Sequence, residues 1–317
     1  MTATIPFKDL ILSDQFTFYI GKEKKPVVVH SAVIAAQSPA LNALINNGHM
    51  QEAQTRSAEI DDIEPDDFIR FCEFAYRGDF TVPPCEVVDV PPSEEATDQV
   101  IVYEPDGVSE HSGAEIPQPD DYLVPPPPPP AQEEPAAESD SWVPPIKKKG
   151  KKPRYTSPRR PTIKELFNSK SFGSTGVLRE QFLPFYAPGF NNGPNENFTP
   201  VFLAYSRLYV LAQKYLIEPL KELTLSKLHR TLLGFSLYTS RIGDVLELVR
   251  YVYCDDHTPA TDEDNKMNKL RELVAEYIAC EIDTIGKSKV FLDLLEEGGD
   301  FVREFWVIVQ KYRLVRS

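Results

Sequence analysis

Nineteen of the chain's 29 prolines fall between residues 83 and 161, six of them in succession at 125–130. Proline lacks the backbone N–H that helices and sheet ladders use and fixes φ near −65°, so this stretch suits extended polyproline II and neither a helix nor a central strand. Any core must therefore be closed from chain on both sides of it. Charge is divided in the same stretch. From 86 to 142 there are fifteen acidic residues and no lysine or arginine; from 147 to 164 there are nine basic residues and no acid. Each block repels itself and attracts the other, the pattern of a loosely collapsed disordered insertion.

The flanks are apolar enough to fold. The 317 residues are 41% hydrophobic, and burial efficiency rises with size. A net charge of −14 repels nucleic acid and anionic membranes. The opening MTATIPFKDLILSDQF lacks the basic lead and unbroken apolar core of a secretory signal, and no apolar run approaches the roughly 20 residues that span a bilayer. A soluble protein of the cytoplasm, the nucleus or both is expected. Cys72, Cys85, Cys254 and Cys280 stand far apart with no C-x-x-C pair, which fits small buried thiols in a reducing compartment.

Along the chain, Phe16, Phe18 and Ile20 alternate as a half-buried strand requires. Gly21 and KEKK make a turn, and 27–29 return as the second strand of a hairpin. Ser31 is a candidate cap for a short helix, and Ser38-Pro39 for a second, packed by Val33, Ile34, Leu41, Leu44 and Ile45. A short strand is expected at 58–60. Pro65 opens a helix with Asp66 and Asp67 in its first turn and an apolar face of Phe68, Phe71, Cys72 and Ala75, ended by Gly78. After the insertion, 163–185 carries scattered apolar residues (Leu166, Phe167, Phe172, Val177, Leu178, Phe182) and no element is assigned. Thr199-Pro200 has the cap-plus-proline form before Val201, Tyr205, Leu208, Ala212 and Tyr215 on one helix face. Pro219 opens another helix bearing Leu220, Leu223 and Leu228. Further stripes follow at Val245, Leu248, Val249 and Val252. Another, from Met267 through Leu270, Val274, Tyr277 and Ile278, comes after a candidate cap at Thr261 and the acids Asp262, Glu263 and Asp264. The last two, 290–295 and 301–309, are parted by Gly298-Gly299. No fixed repeat length recurs.

The order of these fragments resembles the BTB/POZ domain. Ser13-Asp14 before an alternating strand is similar to the family's opening dipeptide, His30 to its histidine at the strand-to-helix junction, and Ser38 to the serine after the first small helix. IDDIEPDDF at 60–68 resembles the family's strand, acidic turn and Pro-started helix, and Phe74-Ala75-Tyr76-Arg77-Gly78 its aromatic-x-Tyr-x-Gly ending. The resemblance covers 13–79 and 198–233. It implies an α+β fold with a small sheet packed by helical hairpins, a long disordered Pro-rich insertion and a C-terminal helical extension. The expected divisions are 10–81, 82–162 (insertion), 163–197 (irregular), 198–235 (closing helices) and 236–317 (C-terminal helices). The long insertion resembles divergent BTB proteins of filamentous fungi.

The implied function is non-enzymatic protein binding. Met50-Gln51-Glu52 has the form of the hydrophobic-x-Glu tripeptide through which some members hold a cullin scaffold as ubiquitin-ligase substrate adaptors; Tyr76 joins that surface or lies in the core. Asp14, His30 and residue 37 correspond to the charged pocket of the family's dimer interface, and Gln37, standing where many members are basic, weakens the expectation of a homodimer. No histidine or carboxylate spacing suggests a catalytic, metal or cofactor site. Lys147, Lys148, Lys149, Lys151, Lys152 and Arg154 read as a nuclear import signal or as counter-charge to the acidic block. Ser157, followed by Pro158, has the form of a proline-directed phosphorylation site. The run 125–130 suits SH3, WW or profilin-type grooves, or serves as a spacer. A nuclear regulatory factor and a structural oligomerisation subunit remain the alternatives.

Overall fold

A one-turn helix, α1 (Phe7–Ile11), leads into β1 (Gln15–Ile20), whose alternation turns Phe16, Phe18 and Ile20 into the interior. In the computed structural model, residues 6–88, 161–172, 186–187, 189–254, 256–261 and 266–313 are described. Gly21, at φ +71°, reverses the chain into β2 (Lys25–His30), which runs antiparallel to β1 with Phe16 opposite Val29 and Phe18 opposite Val27. On the other side of β1 lies β3 (Ser57–Ile60), parallel to it, so the sheet order is β2-β1-β3. A parallel neighbour needs a crossover, and α2 (Ser31–Ala35), α3 (Pro39–Asn46) and α4 (Gln51–Thr55) supply it. Helix α5 (Pro65–Arg77) covers the buried face with Phe68, Phe71 and Phe74, the Phe18 and Phe68 rings lying 5.0 Å apart. Gly78 at φ +71° ends it, donating to the Phe74 carbonyl.

The folded chain runs on past residue 81. Phe80 is buried, Val82 and Cys85 pack against the core, and β4 (Glu86–Val87) pairs antiparallel with β5 (Glu196–Asn197). The Val88 N–H donates to the Asn195 carbonyl at 2.8 Å. This ladder joins chain from before the insertion to chain from after it, and the length between them costs only a logarithmic closure entropy. The region 163–197, expected to be irregular, contains a helix, α6 (Ile163–Asn168), besides β5.

Then come α7 (Thr199–Lys214), α8 (Glu218–Gly234), α9 (Ile242–Val252), α10 (Lys269–Cys280), α11 (Ile282–Ile285), α12 (Lys289–Glu297) and α13 (Gly299–Arg313). A continuous apolar core joins Phe16 and Phe18 to Phe202 and Leu208 of α7, Val245 of α9, Ile278 of α10 and Ile308 of α13. The described residues before and after the insertion belong to one compact unit. Among the described residues no helix is long and apolar enough to cross a membrane.

Three expected caps differ. Ser31 and Thr199 are the first helical residues rather than caps. The Ser31 N–H donates to the Asp14 carbonyl, and the start of α7 is satisfied from elsewhere: Asn197 Oδ1 accepts from Thr199 N and Asp244 of α9 from Phe198 N, at 3.0 and 2.7 Å. At α7 a neighbouring amide and a carboxylate from α9 have replaced the expected hydroxyl. Asn268, not Thr261, caps α10, accepting from Leu270 N at 2.9 Å; Asp262, Glu263 and Asp264 lie outside the described residues. The cysteines are free and half-buried, and burial pushes the Cys72 and Cys280 thiols up to about 12, so both stay protonated at neutral pH.

Candidate protein-binding surface

Helix α3 forms because Ser38 accepts from Leu41 N at 3.1 Å and Pro39 is pre-set for the first turn. It ends at Asn47, whose side chain accepts from His49 N at 3.2 Å and whose carbonyl accepts from Met50 N at 2.8 Å. Gln54 reaches back to the Gly48 carbonyl at 2.8 Å. These bonds fix Met50-Gln51-Glu52 at the head of α4 with Met50 and Glu52 half-buried and Gln51 exposed. Arg56, in the left-handed region at φ +56°, turns the chain into β3.

The three residues expected to line a dimer pocket each have a partner within the chain. Asp14 pairs with Arg56 at 2.6 Å, so a cation arriving from the α4–β3 turn meets the carboxylate. Gln37, just past α2, donates to the Val33 carbonyl of that helix at 2.9 Å. His30 is held by Tyr76: the phenol oxygen accepts the His30 backbone N–H at 3.0 Å and lies 2.7 Å from Nδ1. Tyr76 is therefore a half-exposed brace between the end of α5 and the start of α2. Neither the Asp14–Arg56 pair nor this brace was legible, because each joins residues some forty positions apart through single polar atoms. Lys147, Lys148, Lys149, Lys151, Lys152, Arg154, Ser157 and the run 125–130 lie outside the described residues.

The same hydrogen bond limits how partners can attach. Residues 26, 28 and 30 share one direction along β2, and the His30 N–H points to Tyr76, so all three face away from β1. Pro26 has no N–H and that of His30 is taken, which leaves Val28 to offer a donor at this edge. A blunted edge of this kind resists strand addition, and docking falls to helix and loop faces. One such face is α1. Ser13 Oγ accepts from Ala32 N and donates to the Leu10 carbonyl, at 3.1 and 2.8 Å, so the Ser13-Asp14 dipeptide ties α1 to the first turn of α2. Held there, Phe7 and Leu12 are each 70% exposed.

Residues 10–92 match the family model of the BTB/POZ domain. The chain carries a BTB/POZ domain. A search of curated proteins found no match. The BTB/POZ match makes residues 10–92 a protein-interaction module, and the pieces described above are its sheet, its helical crossover and the covering helix α5. A groove of about 930 Å³ lies beside this module, lined by Lys22, Lys25, Glu64, Asp67, Arg70 and Arg207 among others. Within it Asp67 meets Arg70 at 2.8 Å and Arg207 at 3.8 Å, and burial raises the Asp67 carboxyl above the ordinary value in spite of them. Among the described residues no group of three or more His, Cys, Asp or Glu is arranged to hold a metal ion.

Proposed function

We propose that the protein is an adaptor whose BTB/POZ domain holds a cullin-type scaffold through Met50, Glu52 and the turn that carries them. The supporting observation is pre-organisation. The tripeptide stands at a helix start fixed by Asn47 and Gln54, with an adaptable thioether and a carboxylate two residues apart on the surface. A loop already ordered loses little entropy on binding. Pull-down of a cullin by the intact chain, set beside a Met50→Asp, Glu52→Lys chain, tests this. Loss of central contacts should cut recovery at least about tenfold; equal recovery with both chains would rule the contact out.

Self-association is the second reading, favoured by the apolar side chains of α1. Phe7 and Leu12 stand in solvent on a helix anchored by Ser13 to α2, and two such faces would cover one another in a two-fold pairing. Light scattering should give a dimer mass for the intact chain and a monomer mass for a Phe7→Asp, Leu12→Asp chain. A monomer mass for the intact chain at every concentration tried would dispose of this reading.

A further inference from the structure

Six residues are too few for α6 to persist alone, so what holds it is informative. Its N-terminus is closed by a complete capping box, in which Thr162 Oγ1 accepts from Glu165 N at 3.2 Å and the Glu165 carboxylate accepts from Thr162 N at 2.7 Å. The Phe167 side chain, 3% exposed, enters a slot between α8 and α10, its ring 4.9 Å from that of His229 and 5.8 Å from that of Tyr277. Phe172 also packs against His229, with ring centroids 5.5 Å apart. His229 Nε2 donates to the Phe167 carbonyl at 2.8 Å, and burial holds the imidazole below its ordinary pKa, in the neutral form that makes this bond.

Charge fixes the register. Lys164 meets Glu281 at 3.0 Å, and Lys170 meets Glu276, whose residue is 2% exposed. A carboxylate buried to that degree is costly without a cation beside it, so this groove demands a basic ligand. One aromatic anchor, one backbone carbonyl read by a side chain, and lysines six residues apart answering two glutamates make up the contact. A helical peptide is held in a groove in this manner.

We propose that the α8–α10 groove is a docking site for a short Ser- or Thr-capped helical peptide of a partner protein, with a phenylalanine anchor and a lysine on either side. In this structure residues 161–172 occupy it in cis as a competing ligand. A tethered segment acts at an effective concentration of millimolar order, so a partner's peptide gains entry when it binds more tightly or when the cis segment is weakened. The inference does not rest on the cullin contact, which lies on other residues. It gives the helices beyond the BTB/POZ match a task, selecting what is brought to the module.

The test uses the full-length chain, its Phe167→Ala and Lys164→Ala, Lys170→Ala variants, and a labelled synthetic peptide of residues 161–172. Fluorescence anisotropy should show the peptide binding each variant at least about tenfold more tightly than the unaltered chain, and a peptide with the same Phe167→Ala change binding neither. Folded variants that fail to take up the peptide would overturn the proposal, as would uptake that ignores the phenylalanine. Should Phe167→Ala unfold the chain, the double lysine variant, which leaves the anchor in place, decides alone. Unfolding of both would show that the segment is core and not ligand, and would equally overturn it.

Discussion

A Lys227→Ala chain is expected to lose about 3–5 kcal/mol of folding stability, the usual result of stripping one partner from a buried ion pair. Lys227 lies on α8 with a side chain 7% exposed. Its ammonium pairs with Asp79, donates to the Phe80 carbonyl at 2.8 Å and lies 4.5 Å from the centre of the Phe80 ring. Burial lowers its pKa while Asp79 opposes that shift. Asp79 and Phe80 precede the insertion and Lys227 follows it, so this one side chain fastens the two pieces of the core. Without it the Asp79 carboxylate, in a largely buried site, loses its ion-pair partner. The denaturant midpoint measures the loss, and a Lys227→Met, Asp79→Asn chain should recover much of it, since removing both charges removes the uncompensated one. A single substitution costing less than about 1 kcal/mol, the range of an exposed pair, would show that Lys227 fastens nothing.

The second large effect is expected at Arg271, which is 1% exposed on α10. Its guanidinium donates to Thr258 Oγ1 at 3.0 Å, the Thr258 carbonyl at 2.6 Å and Asp300 at 3.0 Å, faces Glu304 at 3.6 Å and stacks over the Tyr253 ring at 4.9 Å. Arg271→Met should again cost about 3–5 kcal/mol at neutral pH, because Glu304 and the Thr258 groups lose their partner together. Here pH gives a second readout. Burial already holds the Glu304 carboxyl above its ordinary value of 4.5, with Arg271 pulling the other way; removing the arginine raises it further. A carboxyl with a raised folded pKa binds more protons folded than unfolded, so it favours folding below its unfolded value and loses that advantage as pH rises through the folded one. The gap between variant and unaltered chain should therefore narrow as pH falls toward 4.5. A gap that widens on acidification would contradict the assignment.

How much of this could be read from the letters depended on where each element finds its partners. Phe16, Phe18 and Ile20, the Ser38-Pro39 start of α3 and the Pro65–Gly78 limits of α5 are local signals, and the structure keeps them. Helix α8 was legible only through Leu220, Leu223 and Leu228. It also buries Thr224, Lys227, His229 and Thr231, and a lysine whose counter-ion lies 148 positions away gives no sign in the local pattern. Helix α1 was missed because its apolar residues face solvent, and α6 because its stability comes from His229 and Tyr277. The T-x-x-E box at Thr162 and Glu165 was the clue available for α6. In the candidate site, Met50 and Glu52 came from a motif, whereas the Asp14–Arg56 pair required a turn in three dimensions.

The pairing of β4 with β5 has a practical side. Val88 is held by its hydrogen bond to Asn195 and α6 by its own cap and its Phe167 anchor, so the chain on each side of 89–160 is fixed independently, and the folded body does not register how much chain joins the two. A reporter or a foreign domain spliced between residues 88 and 161 would hang from those two points as cargo, while the body on either side kept its shape.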